Sequence, residues 1–125
     1  MLLVSLSIIA ASRWVFFLGI VPSKSMYPTI KGDDSIIIGN RLEKEFEDGD
    51  VIIFFKDGIY MVKRIAACAG ETVVRGDEHL TVPENSYYVL GDNAEDSLDS
   101  RYWDDPFVTQ DKVVAKVFFP SMKRK

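Results

Sequence analysis

The sequence predicts an all-β domain, and three observations carry that reading. Its apolar runs are short and rich in Val, Ile, Phe and Tyr, as in Val51-Ile52-Ile53-Phe54-Phe55 and Ser86-Tyr87-Tyr88-Val89-Leu90. These residue types suit a pleated, half-buried surface. Turn chemistry separates the runs at Lys31-Gly32-Asp33-Asp34, Gly49-Asp50, Lys56-Asp57-Gly58, Ala69-Gly70-Glu71 and Pro83-Glu84-Asn85. Finally, no stretch of the soluble part reads as a helix, and no internal repeat or low-complexity segment is present.

The bulk figures bound what such a domain can do. A chain of 125 residues makes one domain with a modest core. It is 47% hydrophobic and 27% charged, a globular balance that argues against disorder. A net charge of −4, with no basic stretch interleaved by aromatics, argues against a nucleic-acid partner. The single cysteine, Cys68, excludes an internal disulfide. With the single histidine, His79, it leaves no zinc-ligand set, so no metal or other cofactor is expected.

Taken in order, Met1 to Ala11 is apolar but for two serines, and the apolar character resumes after Arg13 as Trp14-Val15-Phe16-Phe17-Leu18-Gly19-Ile20. A membrane-spanning helix needs about 20 apolar residues. Nothing basic precedes the run and no convincing small-x-small cleavage site follows it, which disfavours a secretory signal peptide. Residues 1–12 are therefore expected to form a short membrane anchor. Residues 13–119 form the β domain, and residues 120–125, ending Lys123-Arg124-Lys125, a basic tail that is solvated or touches anionic lipid.

The first strand follows Arg13 and runs into Val21, and Ser35-Ile36-Ile37-Ile38 is a compact second. Arg41 to Asp48 is a charged, exposed connection. Val51 to Phe55 is apolar on both faces, hence central. Lys56-Asp57-Gly58 makes a tight hairpin into the returning strand Ile59 to Cys68. Thr72 to Arg75 is a short strand, and His79 lies in a polar loop as a surface residue. Ser86 to Leu90 is another strand, Gly91 to Arg101 a polar loop dense in local hydrogen-bonders, and Val113 to Phe119 closes the sheet before Pro120.

Two places stand out chemically. In Val21-Pro22-Ser23-Lys24-Ser25-Met26-Tyr27-Pro28-Thr29-Ile30, two prolines fix φ and push the preceding residues out of the helical region. The expectation is a stiff, extended segment that presents Ser23 and Ser25 at set angles, although Ser-x-Ser in a loop has little specificity by itself. On the strand Ile59 to Cys68, period-2 alternation puts Lys63 in a row with Ile59, Met61, Ile65 and Ala67. A buried ammonium escapes its desolvation cost by losing its proton, and a neutral lysine is a competent base. The other reading is that Lys63 snorkels to solvent.

These residues resemble a known family. Pro22-Ser23-Lys24-Ser25-Met26-Tyr27-Pro28-Thr29-Ile30 is similar to the Pro-Ser-x-Ser-Met-x-Pro-Thr-Leu box of bacterial type I signal peptidases. Tyr60-Met61-Val62-Lys63-Arg64-Ile65 is similar to their lysine box, and Gly91-Asp92-Asn93-Ala94-Glu95-Asp96-Ser97-Leu98-Asp99-Ser100-Arg101 to their Gly-Asp-Asn-x-x-x-Ser-x-Asp-Ser-Arg box. The boxes fall in the family's order, and the resemblance runs from about Arg13 to about Phe119. It implies a twisted β-sheet, a partly open barrel of the kind that signal peptidases share with Ser–Lys self-cleaving repressors.

The resemblance implies roles too. Ser25 corresponds to the nucleophile and Lys63 to the general base. Ser23 O–H with the backbone N–H of Ser25 corresponds to the oxyanion hole, and Ser97 to a serine that orients the lysine amine. Asp99 and Arg101 match a structural ion pair whose network often includes Arg64, and Asp92 belongs to the same structural support. The implied protein is a single-pass protein of the cell membrane whose catalytic domain faces outward. It removes signal peptides from exported preproteins after small residues of the Ala-x-Ala type, with preproteins and membrane lipid as its partners and no metal. Departures from the pattern are Ala67-Cys68-Ala69-Gly70-Glu71 in place of Gly-Leu-Pro-Gly-Asp, Ala94 in place of a common arginine, and a region from Glu71 to Val82 that leaves a second β-region minimal or missing. Two rivals differ in class. One is a non-catalytic assembly factor for surface pili, which tends to lose the Ser or Lys retained here. The other is a Ser–Lys self-cleaving regulator, which lacks the Gly-Asp-Asn box.

Overall fold

The computed structural model describes residues 14–123, so the expected anchor over residues 1–12 lies outside the described residues, as do the last two residues of the tail. Among the described residues no helix is long and apolar enough to cross a membrane. The strands are β1 (Phe16–Val21), β2 (Ser35–Asn40), β3 (Val51–Lys56), β4 (Ile59–Cys68), β5 (Thr72–Arg75), β6 (Glu78–Thr81), β7 (Ser86–Leu90), β8 (Phe107–Thr109) and β9 (Val113–Phe119). Seven of them form one antiparallel sheet in the order β1-β2-β9-β3-β4-β7-β8, while β5 and β6 pair separately. The ends β1 and β8 do not meet, so the sheet is open.

The core explains the order. Val51 and Ile53 of β3 pack on one face with Val21, Met26, Ile30, Ile37, Ala115 and Val117. Ile52 and Phe54 pack on the other with Ile65, Tyr87, Val89, Val108 and Val113. A strand apolar on both sides has to sit mid-sheet, and each such side chain contributes about 1.5–3 kcal/mol by leaving water. The β3–β4 hairpin closes through Asp57 (φ 51°) and Gly58 (φ 84°), with Lys56 opposite Ile59. Two successive positive φ values are what a two-residue turn needs to match strand twist.

Two expectations need correction, and one strand adds to the sequence reading. Residues 78–81, expected as polar loop, form β6 opposite β5, with His79 facing Val74 in register. The minimal second β-region is thus this one hairpin, and His79 is exposed, as expected of a surface residue. Residues 107–109 form an edge strand beside β7 that is too short to show a sequence pattern. The serine-bearing segment is not extended: it coils through a turn over residues 25–29, with Tyr27 N–H donating to the Lys24 carbonyl (3.1 Å) and Ile30 N–H to that of Met26 (3.0 Å). The cause is hydrophobic. Met26 and Ile30, four residues apart, are 0% and 1% exposed, and a turn brings both to one side.

Candidate active site

The turn after β1 fixes the two serines. Its apolar anchors pull the chain inward, Asp33 N–H donates to the Pro22 carbonyl (3.2 Å), and Gly32 passes close behind. A Cβ on Gly32 (φ 74°) would come within 2.9 Å of the Ser23 carbonyl carbon, so only glycine fits that approach. Ser25 is 5% exposed, and its Oγ lies 3.4 Å from the Oγ of Ser23.

Lys63 comes from the middle of β4, opposite Ile52 of β3, and shares its face with Met61 and Ile65. It is 6% exposed, so it sits in the apolar row rather than reaching bulk solvent. Burial lowers its pKa below the usual lysine value. The negative charge of Asp99 works against that shift, and the positive charge of Arg101 works with it. Ser23, Ser25, Lys63 and Ser97 line one cavity of about 820 Å³. Its walls include Leu18 and Ile20 of β1, Ile53 of β3, Met61 and Val62 of β4, and Leu98 and Tyr102 of the following loop.

Two separate ion pairs order the loop over residues 91–103, which borders this cavity. Asp99, fully buried, accepts two bonds of 2.9 Å from the Arg101 guanidinium, one of 2.9 Å from Gly91 N–H and one of 2.8 Å from Ser97 Oγ. Burial alone would raise its pKa, but Arg101 and these donors outweigh that and hold it below the usual carboxylate value. Arg64 is not in that network. It grips Asp92 at 2.8 and 2.7 Å and donates to the Gly49 carbonyl at 2.7 Å, while Thr29 Oγ1 donates to Asp92 at 2.6 Å. The correction has a simple cause: Arg64 is next to Lys63 on a strand, so its side chain leaves from the opposite face. The Arg64–Asp92 pair, with Thr29, clamps the turn, β4 and the loop together, while the Asp99–Arg101 pair braces the loop internally.

Four contributors were not legible at the sequence level. Gly91 touches the site directly, because a Cβ there would lie 2.5 Å from the Ser25 carbonyl oxygen and 2.6 Å from Ser97 Cβ, on top of Ser97 Oγ. Asn93 N–H donates to the Ser25 carbonyl at 2.8 Å, and Asn93 Nδ2 to that of Lys24 at 3.1 Å. Glu95 and Asp96 border the cavity. A glycine needed for close approach or a backbone N–H carries no local pattern, so only the fold reveals either one.

Away from the cavity, Asp48, Cys68 and Glu71 bring their ligand atoms within 4.8 Å of one another. The fold brings carboxylates to the lone cysteine that the spacing of cysteine and histidine in the sequence does not show. Burial, with Asp48 and Glu71 adding to it, pushes the Cys68 thiol up to about 12, and Glu71 already accepts the Cys68 N–H at 2.8 Å. None of the three lines the cavity.

An open antiparallel sheet with serine and a buried lysine on one apolar cavity defines the chain's class, and comparison with known proteins gives the family. The family described as signal peptidase, peptidase S26, matches residues 1–82 and 74–122, and the chain belongs to it. It is 28% identical to "Signal peptidase I S" of Bacillus subtilis (strain 168) over 125 aligned residues, which cover 71% of this chain and 68% of that protein. It is 31% identical to "Probable signal peptidase I-2" of Synechocystis sp. over 134 aligned residues, covering 78% of this chain and 59% of the relative. A shorter match, 53% identical over 38 residues, relates it to "Signal peptidase I" of Buchnera aphidicola subsp. Baizongia pistaciae, covering 30% of this chain and 12% of the relative.

Proposed function

We propose that this chain is a membrane-anchored serine endopeptidase that removes N-terminal signal peptides from exported preproteins after small residues of the Ala-x-Ala type. The observation that carries the reading is the shared cavity: Ser25 and the buried Lys63 line it together with Ser23 and Ser97. Family membership and the names of the Bacillus and Synechocystis relatives support it. Residues 1–12 anchor the protein in the cell membrane, and the β domain stands on the extracytoplasmic side. There Trp14 and Phe16 meet lipid.

The chemistry follows from the residue types. Neutral Lys63 accepts the Ser25 hydroxyl proton as Ser25 Oγ bonds to the scissile carbonyl carbon. Ser23 O–H and Ser25 N–H donate to the oxyanion, a contribution typically worth about 3–4 kcal/mol. The amide bond breaks as the Lys63 ammonium returns its proton to the leaving amine. An ester between Ser25 and the signal peptide remains. Lys63 then takes a proton from water, whose oxygen attacks the ester, and the signal peptide leaves as a carboxylate while Ser25 recovers its proton. Ser97 Oγ, which donates to Asp99 at 2.8 Å, accepts from the Lys63 amine once substrate is bound and so holds it in line.

The test is cleavage of an Ala-x-Ala preprotein in detergent or lipid by wild type, Ser25→Ala and Lys63→Ala. Wild type alone is expected to cleave, each variant losing at least about a thousandfold. The rate should rise with pH through the lowered lysine pKa, because only the neutral amine takes the proton. Equal traces from all three would remove the peptidase reading in favour of a pilus assembly role, and cleavage confined to the chain itself would point to a self-cleaving regulator.

A further inference from the structure

One side of the cavity is acidic. Glu95 and Asp96 border it from the three-residue 3-10 turn Ala94–Asp96, next to Ser97, Leu98 and Tyr102. Both carboxylates are exposed, and among the described residues neither side chain has a hydrogen-bonding or ion-pairing partner. Nearby cations are committed elsewhere. Arg101 holds Asp99 with two bonds of 2.9 Å and gives a further bond of 3.0 Å to the Ala94 carbonyl. Arg64 is taken by Asp92. Lys24 lies between the two serines in sequence, yet the cavity wall holds Ser23 and Ser25 and not Lys24.

Among the described residues the one basic side chain on that wall is Lys63, which is 6% exposed and held by no hydrogen bond or ion pair. An unpartnered amine on a largely buried side chain, facing a cavity that also holds serine hydroxyls, marks where the reacting part of a ligand goes. The two carboxylates border the same cavity. Asn93, just ahead of their turn, is bonded through its N–H to the Ser25 carbonyl at 2.8 Å.

We propose that Glu95 and Asp96 select a lysine or arginine side chain in the bound peptide, within a few residues of the bond held at Ser25. This rests on the endopeptidase reading and adds a charge preference to it. The aliphatic stem of the cationic residue lies along Leu98 and Tyr102, which are 74% and 61% exposed, and its head meets the carboxylates. Two exposed carboxylates give a modest preference, about three- to fivefold at low salt, that fades as salt screens it.

The probe is a set of short fluorescent peptides carrying Ala-x-Ala, with a single Lys, Gln or Glu scanned along the flanking positions and both alanines kept. Binding is read by anisotropy on the full-length Ser25→Ala protein, and cleavage on wild type, each at about 20 mM and about 300 mM salt. At one or two positions the Lys peptide should bind about three- to fivefold more tightly than the Gln peptide, and the Glu peptide more weakly. The preference should vanish at high salt and in Glu95→Gln/Asp96→Asn, and reverse in Glu95→Lys/Asp96→Lys. Equal binding of all three peptides at low salt, no binding of any, or a preference that survives Glu95→Gln/Asp96→Asn overturns the assignment, whatever the cleavage. Charge-selective binding with no cleavage by wild type would keep the acidic wall and remove the endopeptidase reading.

Discussion

Burial disfavours the charged form of both Lys63 and Asp99, and only for Asp99 is that cost compensated. Lys63 has a lowered pKa because its amine leaves water first and feels Asp99 and Arg101 second. Asp99 stays ionised because Arg101, Gly91 and Ser97 supply donors that offset its burial. Replacing Arg101 by Gln removes the cation that helps keep Lys63 neutral and leaves Asp99 less screened. The pH–rate profile of Arg101→Gln should therefore move to higher pH, with a severalfold lower rate on its rising limb, and an unmoved or acid-shifted profile would contradict this. Stability has its own sign. The folded pKa of Asp99 lies below its ordinary 3.8, so its contribution is present above that value and lost as pH falls through the folded one. At this scale the sequence was most informative. Ser25 and Lys63 were legible because their chemistry needs unusual neighbours, two prolines and an apolar row. The partner of Arg64 was not, since nothing local pairs a strand arginine with Asp92 across 28 positions.

Elements turn those residues into a site through close backbone approaches. Gly91 brings β7's exit against the Ser25 carbonyl, whereas Gly39 of β2 lets β9 come so near that a Cβ would lie 2.7 Å from Ala115 Cβ. The two glycines predict different phenotypes. Gly91→Ala should lower kcat/KM about a hundredfold by displacing Ser25 and Ser97. Gly39→Ala should cost about 1–3 kcal/mol of stability while the folded fraction still cleaves. Thermal unfolding and cleavage measured on both variants separate these outcomes, and matching activity losses would refute the distinction. Strand reading followed the same physics. β3 and β4 were visible as apolar runs with a Lys-Asp-Gly turn. β6 (Glu78–Thr81) lacks an apolar run altogether, and only its ladder to β5 makes it a strand. Arg75 of β5 donates to the Ser100 and Trp103 carbonyls at 3.3 and 2.7 Å, fastening that hairpin to the loop that carries Ser97 and Asp99.

For the molecule as a whole, surface chemistry is uneven. Trp14, Leu18, Ile20 and Ile36 are all more than half exposed at the β1–β2 end, while the other tryptophan, Trp103, packs edge-on against Phe54. If this end meets lipid, phospholipid vesicles should shift wild-type tryptophan emission to the blue, and Trp14→Phe should abolish the shift. Unchanged wild-type emission would refute the contact. The all-β class was legible because alternation and turn residues are local, but sheet order is not a local property, and nothing in the sequence shows which strand lies beside which. That order has a consequence in time. The β1–β2 hairpin leads to Ser25 and is made early; the β3–β4 hairpin, which carries Lys63, comes next. They are joined side by side only by β9, which inserts between β2 and β3 and brings Ala115 and Val117 under Met26 and Ile30. Until β9 is translated the sheet has no strand to lay the two hairpins side by side, so a chain still emerging from the ribosome is expected to be inactive even where its loop already ties the two pieces together.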